Sequence, residues 1–535
     1  MSNRPLDRDN MYFNLNDPTN LIAQDLSELK KGGNSVDAQA RADILSANSV
    51  IEGLQEDTVK KSQLSFNVLD HGATGTGDDT EAIQGLLDYI ETAQPNFPFV
   101  GGEVFFPLGV YNVTNLNIKT TISIKGAGYS TVLRVSGSIN TPSELSKKLL
   151  MSDIRLVGTG SGTLMNINKT WSGSSSATFQ LKNIWFHNEN GTGLLLDIYG
   201  ARESGITDCW FTSGVTNNTG TTDAIRFRAD SIGGAMNIDV KGCQFHHLRS
   251  GILGVGDPNN HQFLAGLRLI DNMFISVYKG IDIQHADYVL IEQSMMDFVD
   301  HPVYCNRIAN LKIRNSYFAV RGDNNDAVVI ENTKTGYIMR WLDIQNNRIF
   351  SYATTKGNAI VVHANGGDIA YGNVTNNDID LVNTSITLKG SLGGRARSLK
   401  VNDNRSTDVT TFISLGDSAE NNDIEYNYAE TSAVNFVVNS NPNSGNTLKK
   451  GNKWGTKRSQ AKGKIVANGD GTTTAFSMNH NLLAKADHGL YSLGTSAIRS
   501  IDCNITYDET KVYFNFVSAP PAGTNNVVIN WEVEI

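Results

Sequence analysis

Two short acidic segments stand out, Asp297-Phe-Val-Asp300 and Asp323-Asn-Asn-Asp326, each carrying two carboxylates three residues apart. Glu331 follows five residues after the second, and His301, Tyr304, Tyr317 and Arg321 lie between and around them. Two carboxyls held near one another do acid–base work: one keeps a proton to give, the other takes one or attacks. In the cleavage of a glycosidic bond, their separation decides whether the product's configuration is kept or inverted. Crowding carboxylates also spreads their pKa values, which keeps one protonated when the other is not. The candidate acids and bases are therefore Asp297, Asp300, Asp323, Asp326 and, further out, Glu331, with Asp282, Glu292 and Asp343 next in line. Arg321, His301, Tyr304 and Tyr317 are the candidates for holding a substrate, since a cation or phenol there stabilises charge or binds a sugar carboxylate. The plain alternative is that Asp323-Asn-Asn-Asp326 is only a turn, because Asp and Asn are common turn residues.

Placing these groups together requires a scaffold, and the sequence around them is a repeat. Leu267-Arg-Leu-Ile-Asp-Asn-Met-Phe274 returns as Val289-Leu-Ile-Glu-Gln-Ser-Met-Met296, as Leu311-Lys-Ile-Arg-Asn-Ser-Tyr-Phe318 and as Leu342-Asp-Ile-Gln-Asn-Asn-Arg-Ile349. Apolar residues two apart predict a strand with one buried face. The small or polar residue at a fixed offset predicts a bend. Taking that position as a marker gives Ile154, Ile184, Cys209, Cys243, Asn272, Ser294, Ser316, Asn347, Asn377, Asn404 and Asn427, of which the two isoleucines depart from the small-or-polar pattern. The residue three before each is apolar, from Met151 to Ile424, and the two shortest spacings are both 22. A second strand follows in most coils, as in Ile225-Arg-Phe227, Gly280-Ile-Asp-Ile283, Val328-Val-Ile330, Ile360-Val-Val362 and Ile386-Thr-Leu388. One coil stacked on the next in this way is an all-β parallel β-helix.

In such a coil the chemistry belongs to the residues between the inward ones. On the first strand these include Arg268, Glu292, Lys312, Arg314 and Asp343; on the second, Arg226, Arg228, Asp282, Gln284, Tyr304, Glu331 and His363. Adjacent coils lie about 5 Å apart, so carboxylates one or two coils apart satisfy either stereochemical requirement. The loops Thr212 to Thr222 and Gly254 to Phe263 sit in long coils and are placed to wall a groove. Trp185, Trp210, Phe211 and Tyr278 are possible sugar platforms, with core packing the default for most. His246 and His247 are neighbours on a strand and point opposite ways, so they do not share a metal. No metal site and no cofactor is expected.

The composition sets outer bounds. Of 535 residues 50 are glycine, in keeping with a turn-rich β protein, and the net charge is -9, which argues against nucleic acid as a partner. Four cysteines have neither disulfide nor zinc spacing, and Cys209 and Cys243 share the marker column, where buried, unpaired thiols are expected. No run suits membrane insertion and Met1-Ser-Asn-Arg-Pro lacks the apolar stretch of a signal peptide, so synthesis in the cytoplasm is expected.

Residues 1–62 read as a helical segment in which Ala40, Ile44, Ala47, Ile51 and Leu54 form a short heptad seam, suited to a three-chain bundle or equally to a single amphipathic helix packed on the next domain. At Phe66 the character changes. Phe66 to Leu87 gives a strand, a glycine-rich turn and a helix with an apolar face of Ala82, Ile83, Leu86, Leu87 and Ile90, which caps the first coil; Gly101 to Tyr111 and Gly126-Ala-Gly128 follow. From Ala461 the ladder gives way to a set of antiparallel strands, with Lys464 to Phe476 reading as strand, Asn-Gly-Asp-Gly turn and strand.

With the coil repeat, the stretches from Phe66 to Gly128 resemble the opening of the pectate-lyase-like superfamily, in the branch common among bacteriophage tailspikes and capsule depolymerases. The resemblance covers residues 66–450 or so and implies a right-handed β-helix over 63–455. It also implies an N-terminal attachment and trimerisation segment over 1–62 and a C-terminal trimerising, sugar-binding β-sandwich over 456–535. The implied protein is a homotrimeric virion tailspike, joined to a phage tail or baseplate protein through its N-terminus, that binds and cleaves a bacterial surface polysaccharide by glycoside hydrolysis. The alternatives are a receptor-binding fibre without activity, a polysaccharide lyase and a phosphodiesterase acting on a wall polymer.

Overall fold

A computed structural model describes residues 65–535 apart from 94–101, 120, 142–147, 169–177, 216–219, 231–232, 260–263, 431–432, 441–443, 450, 484 and 487. The heptad seam lies outside the described residues, as do parts of both candidate groove loops.

Three strips of parallel strands wind into a right-handed β-helix of about 11 turns. The first sheet runs from Ser65–Asn67 to Thr447–Leu448. In it the apolar column read from the sequence stacks in strict register: Met151, Leu181, Ile206, Val240, Leu269, Ile291, Ile313, Ile344, Val374, Val401 and Ile424 each pair with the next. The column continues beyond the repeat, through Ile124 and Val104 at one end and Leu448 at the other. The third sheet holds the other strands seen in the sequence, with Ile225, Ile252, Ile281, Val303, Val328, Ile360, Ile386 and Ile413 aligned. Between them lies a second sheet of short strands that the sequence reading did not separate, such as Trp210–Ser213, Gln244–His246 and Met273–Ile275. Its inward rings Phe186, Phe211, Phe245 and Phe274 form a stack with centroid separations of 4.8, 5.0 and 4.5 Å.

The bend between the first and second sheets differs from expectation in one respect. The left-handed residue is the one before the marker: Asp153, Asn183, Asp208, Gly242, Asp271, Gln293, Asn315, Asn346, Asn376, Asp403 and Tyr426 all have positive φ. The marker itself points inward and is buried. Where it is asparagine, it bonds from coil to coil: Asn347 donates its backbone and side-chain N–H groups to Asn377 Oδ1 at 3.1 and 3.0 Å, and its side chain also donates to the Ile313 carbonyl at 3.0 Å. Asn377, Asn404 and Asn427 repeat this, the last donating to Asn452, whose own backbone N–H donates to Ser459 Oγ. A buried amide that satisfies corner backbone groups is worth more than one facing water, since unpaired buried polar groups are costly. At Cys209 and Cys243 the column holds buried free thiols, and burial pushes the Cys209 thiol well above its ordinary pKa.

The Thr80–Ala93 helix lies over the first coils, with Ile83, Leu86, Leu87 and Ile90 buried in the same core as Val104 and Phe106. Asp79 Oδ1 accepts from the Thr74 N–H at 2.6 Å, which ties the glycine-rich turn to the helix start. Beyond the Lys453–Trp454 strand the chain enters a sandwich of two three-stranded antiparallel sheets with its own core, including Phe514, Ile529 and Trp531. Here Gln460–Gly469 and Ala475–Asn479 do not pair as a hairpin. The first joins Gly523–Glu534 and the second joins Lys511–Phe516, so the turn between them crosses from one sheet to the other.

Candidate functional site

Outward residues on parallel strands in register line up in rows, and on the third sheet three rows are polar where they cross coils. Lys279 pairs with His301; Asp282 with Tyr304 and then Val329; Gln284 with Asn306, then Glu331, then His363. Asp326 stands just before the Val328–Glu331 strand. Together Lys279, Asp282, Gln284, His301, Tyr304, Asp326 and Val329 line a cleft of about 270 Å³.

Each group in it is held. Asp282 is buried, 2.9 Å from Lys279 Nζ, and accepts from Gln284 Nε2 at 3.1 Å. Asp326 Oδ1 accepts from the backbone and side-chain N–H groups of Asn358 at 2.7 and 2.9 Å, which fixes the carboxylate at the cleft wall. Tyr304 donates to Glu331 Oε2 at 2.7 Å, and Asn365 donates to Oε1 at 2.9 Å. His363 Nδ1 is 3.3 Å from the same Oε1, and its Nε2 meets Ser391 Oγ at 2.8 Å. Glu331 is thus the anchor of Tyr304.

The protonation states follow from burial. His301 is pushed below its ordinary pKa chiefly by desolvation, with Lys279 adding to it, and Asp300, Asp326 and Asp282 only partly offset this. Its imidazole is neutral at neutral pH. The Tyr304 phenol is driven well above its ordinary pKa by burial and by its bond to Glu331, so it stays protonated. A neutral imidazole and a protonated phenol between two carboxylates can move protons in both directions.

Of the residues singled out in the sequence, His301, Tyr304, Asp326 and Glu331 share this face. Asp300 is buried behind it at the corner and is held by Arg321 through two hydrogen bonds of 3.1 and 3.2 Å. Asp323 accepts from the Thr355 N–H at 2.9 Å in the loop outside the corner. Asp297 and Tyr317 lie on the outer face of the second sheet; burial, Tyr352 and Asp297 push the Tyr317 phenol up to about 12. Glu292 and Asp343 belong to the first sheet, where Asp343 pairs with Arg314 at 2.9 Å. Sequence reasoning left Asp282 in reserve and passed over Lys279. The signal for both was the third-sheet register, which places them one coil before Tyr304 and His301.

Three of the aromatic candidates also differ from the core default. Trp185 and Trp210 are half-buried on the outer face of the second sheet, 5.3 Å apart, with the Arg155 guanidinium 3.8 Å over Trp185. Phe211 is in the core stack, and Tyr278 is exposed and edge-on to His301 at 5.0 Å.

No protein-family model and no curated protein matches the chain. Among solved structures it is similar to the Gp54 tailspike of Acinetobacter baumannii bacteriophage AP22 in complex with capsular saccharide, with 8% identity over 89% of this chain and 97% of that one and a TM-score of 0.51. The tailspike gp49 of Pseudomonas phage LKA1 has 9% identity, covers 88% and 99%, and scores 0.48. The A-module of the Azotobacter vinelandii mannuronan C-5 epimerase AlgE4 has 15% identity, covers 72% and 99%, and scores 0.47. The likeness is one of fold.

Proposed function

We propose that the chain is a tailspike-type depolymerase that binds and hydrolyses a bacterial surface polysaccharide in the third-sheet cleft. The observation that carries the reading is the cleft itself, in which Asp282 and Asp326 flank a neutral His301 and a protonated Tyr304 on the outer face of the β-helix. The fold neighbour held with capsular saccharide supports the substrate class. Asp282 and Asp326 serve as acid and base, the Tyr304 hydroxyl accepts from a sugar hydroxyl, and Glu331 positions Tyr304 by accepting its O–H in a hydrogen bond. Asp300, with Arg321, supports His301 from behind, and Asp297 and Asp323 act outside the cleft. The test is incubation with a panel of purified capsular and O-antigen polysaccharides, followed by mass analysis. Fragments that have each gained one water are expected, and an unchanged chain length throughout overturns the reading.

A second reading, a lyase acting on uronic-acid polymers, is favoured by one feature. The Lys279 ammonium, the neutral imidazole of His301 and the Tyr304 phenol meet in one cleft, where a cation can offset a uronate carboxylate, a base can remove the adjacent proton and a donor can protonate the leaving oxygen. Its mark is an unsaturated sugar at the new end and no uptake of water.

A further inference from the structure

The corner between the second and third sheets carries a different surface from the cleft. Phe298 and Tyr352 lie there with rings stacked at 5.0 Å and 9°, and Phe350 meets Tyr352 edge-on at 4.8 Å. Both stacked rings are exposed, Phe298 by 42% and Tyr352 by 52%. Phe298 also has a φ of 52°, a conformation that bulky side chains rarely adopt, at a register shift in its strand. Asp297, just before it, has a buried Oδ1 with no hydrogen-bond partner. Such an orphan acceptor needs an explanation, and a ligand hydroxyl that reaches it on a small shift of the neighbouring ring supplies one.

Two residues after Tyr352 the same corner opens into a groove of about 620 Å³. Successive coils each contribute to it: Asn324, then Thr355 and Lys356, then Asn383, then Asp408 and Thr410, then Val434. From Phe298 to the far end the surface crosses five coil steps, about 24 Å at a strand spacing of about 4.8 Å. One lysine and one aspartate leave its lining without net charge. A straight, periodic trough of hydroxyls and amides headed by flat aromatic rings suits sugar rings, whose faces stack and whose edges donate and accept. Of the three valines in its lining, Val382 and Val409 are buried and only Val434, at the far end, is exposed, so the trough has no exposed apolar centre of the kind a protein-binding patch carries.

We propose that this corner is a second glycan-binding site, separate from the cleft, that holds an extended uncharged run of the same polysaccharide. The inference rests on the depolymerase reading, and the experiment separates the two. The probe is whichever panel polysaccharide the wild type depolymerises, presented to the Asp326→Asn chain so that it is bound but not cut. Hydrogen exchange on this complex should show protection of backbone amides in 351–358, 381–384 and 408–411. Adding Phe298→Asn, which suits the left-handed backbone, and Tyr352→Ala should weaken polymer binding about tenfold and remove that protection, with the thermal midpoint close to that of the parent. If the wild type cuts no polysaccharide in the panel, the functional reading fails and this site falls with it. If it cuts one but neither protection nor affinity depends on the rings, only the second site is overturned. A change of oligomeric state in the ring variants, with polymer affinity intact, also overturns it and assigns the rings to contact between copies of the chain.

Discussion

Asp326 takes two hydrogen bonds from Asn358 on one oxygen, and Asp282 sits beside an ammonium. Asp326→Asn and Asp282→Asn keep the shape of each group and remove its charge. Turnover should fall about a hundredfold or more in each, while binding of the polymer measured by calorimetry persists. Near wild-type turnover in both would move the acid and base elsewhere, to Glu331 first. A second residue-scale prediction concerns pH. His187, His246, His285, His301 and His363 are all pushed below the ordinary histidine pKa, chiefly by burial. A lowered folded pKa means the unfolded chain binds protons more readily, so the stability these groups contribute is present above about pH 6.5 and is lost as the pH falls below it. The thermal midpoint should drop between pH 7.5 and 5.5, and His301→Gln should reduce the drop. At this scale the sequence was only partly legible. Local crowding picked out His301, Tyr304, Asp326 and Glu331, but Asp297 and Asp323 are as close in sequence and face other ways. What separates them is the corner at Asp300, which turns the chain from the second sheet into the third and which no spacing in the sequence announces.

The ladder of asparagines is the clearest element-scale feature, and its energetics can be measured. Asn377→Ala removes the acceptor of two Asn347 N–H groups and the donor to the Ile344 carbonyl, all of them buried. Each orphaned group costs about 1–3 kcal/mol, so a loss of at least about 3 kcal/mol is expected in urea denaturation. Its neighbour Asn376 has a φ of 54° and donates to Asn346 Oδ1 only at the exposed surface, so Asn376→Ala should cost little beyond the left-handed penalty, about 1–2 kcal/mol. If the two variants are equally destabilised, the ladder is decoration. Phe245→Ala, in the middle of the stacked rings, should cost about 3–5 kcal/mol. Elements were far more legible than the site. The apolar residue three before each marker stacked in register through every coil read, because a buried column tolerates few side chains. The second sheet was missed because strands such as Gln244–His246 and Met273–Ile275 are three residues long and bury one residue each, too little for an alternation to register.

At the scale of the whole molecule, the β-helix and the sandwich have separate cores, and the described residues form a single compact unit from Ser65 to Ile535. The heptad seam before it motivates one further expectation, that the full chain is a closed trimer. Light scattering at micromolar concentration should return about three times the chain mass, and a stable monomer rejects it. The two ends of the β-helix were unequally legible. The helix over the first coils was marked by its apolar face and its Asp-Asp-Thr start, whereas the route of the chain through the sandwich was not, because a strand–turn–strand sequence reads the same whether its strands pair with each other or cross between sheets.

The left-handed residue followed by an inward asparagine recurs at every coil from Asn346 to Gly451, and this has a consequence for tolerance of insertion and deletion. Coil lengths differ widely, yet the columns stay aligned, so each corner sets the phase of the strand after it afresh. The fold behaves as a text with punctuation rather than a message read in fixed steps: a lengthened clause leaves the next sentence intact. Removing residues 404–426, one whole clause, joins Asp403 to Asn427 and restores a left-handed residue before an inward asparagine. That deletion should leave a shorter, cooperative β-helix, whereas removing half as many residues across the same corner should not.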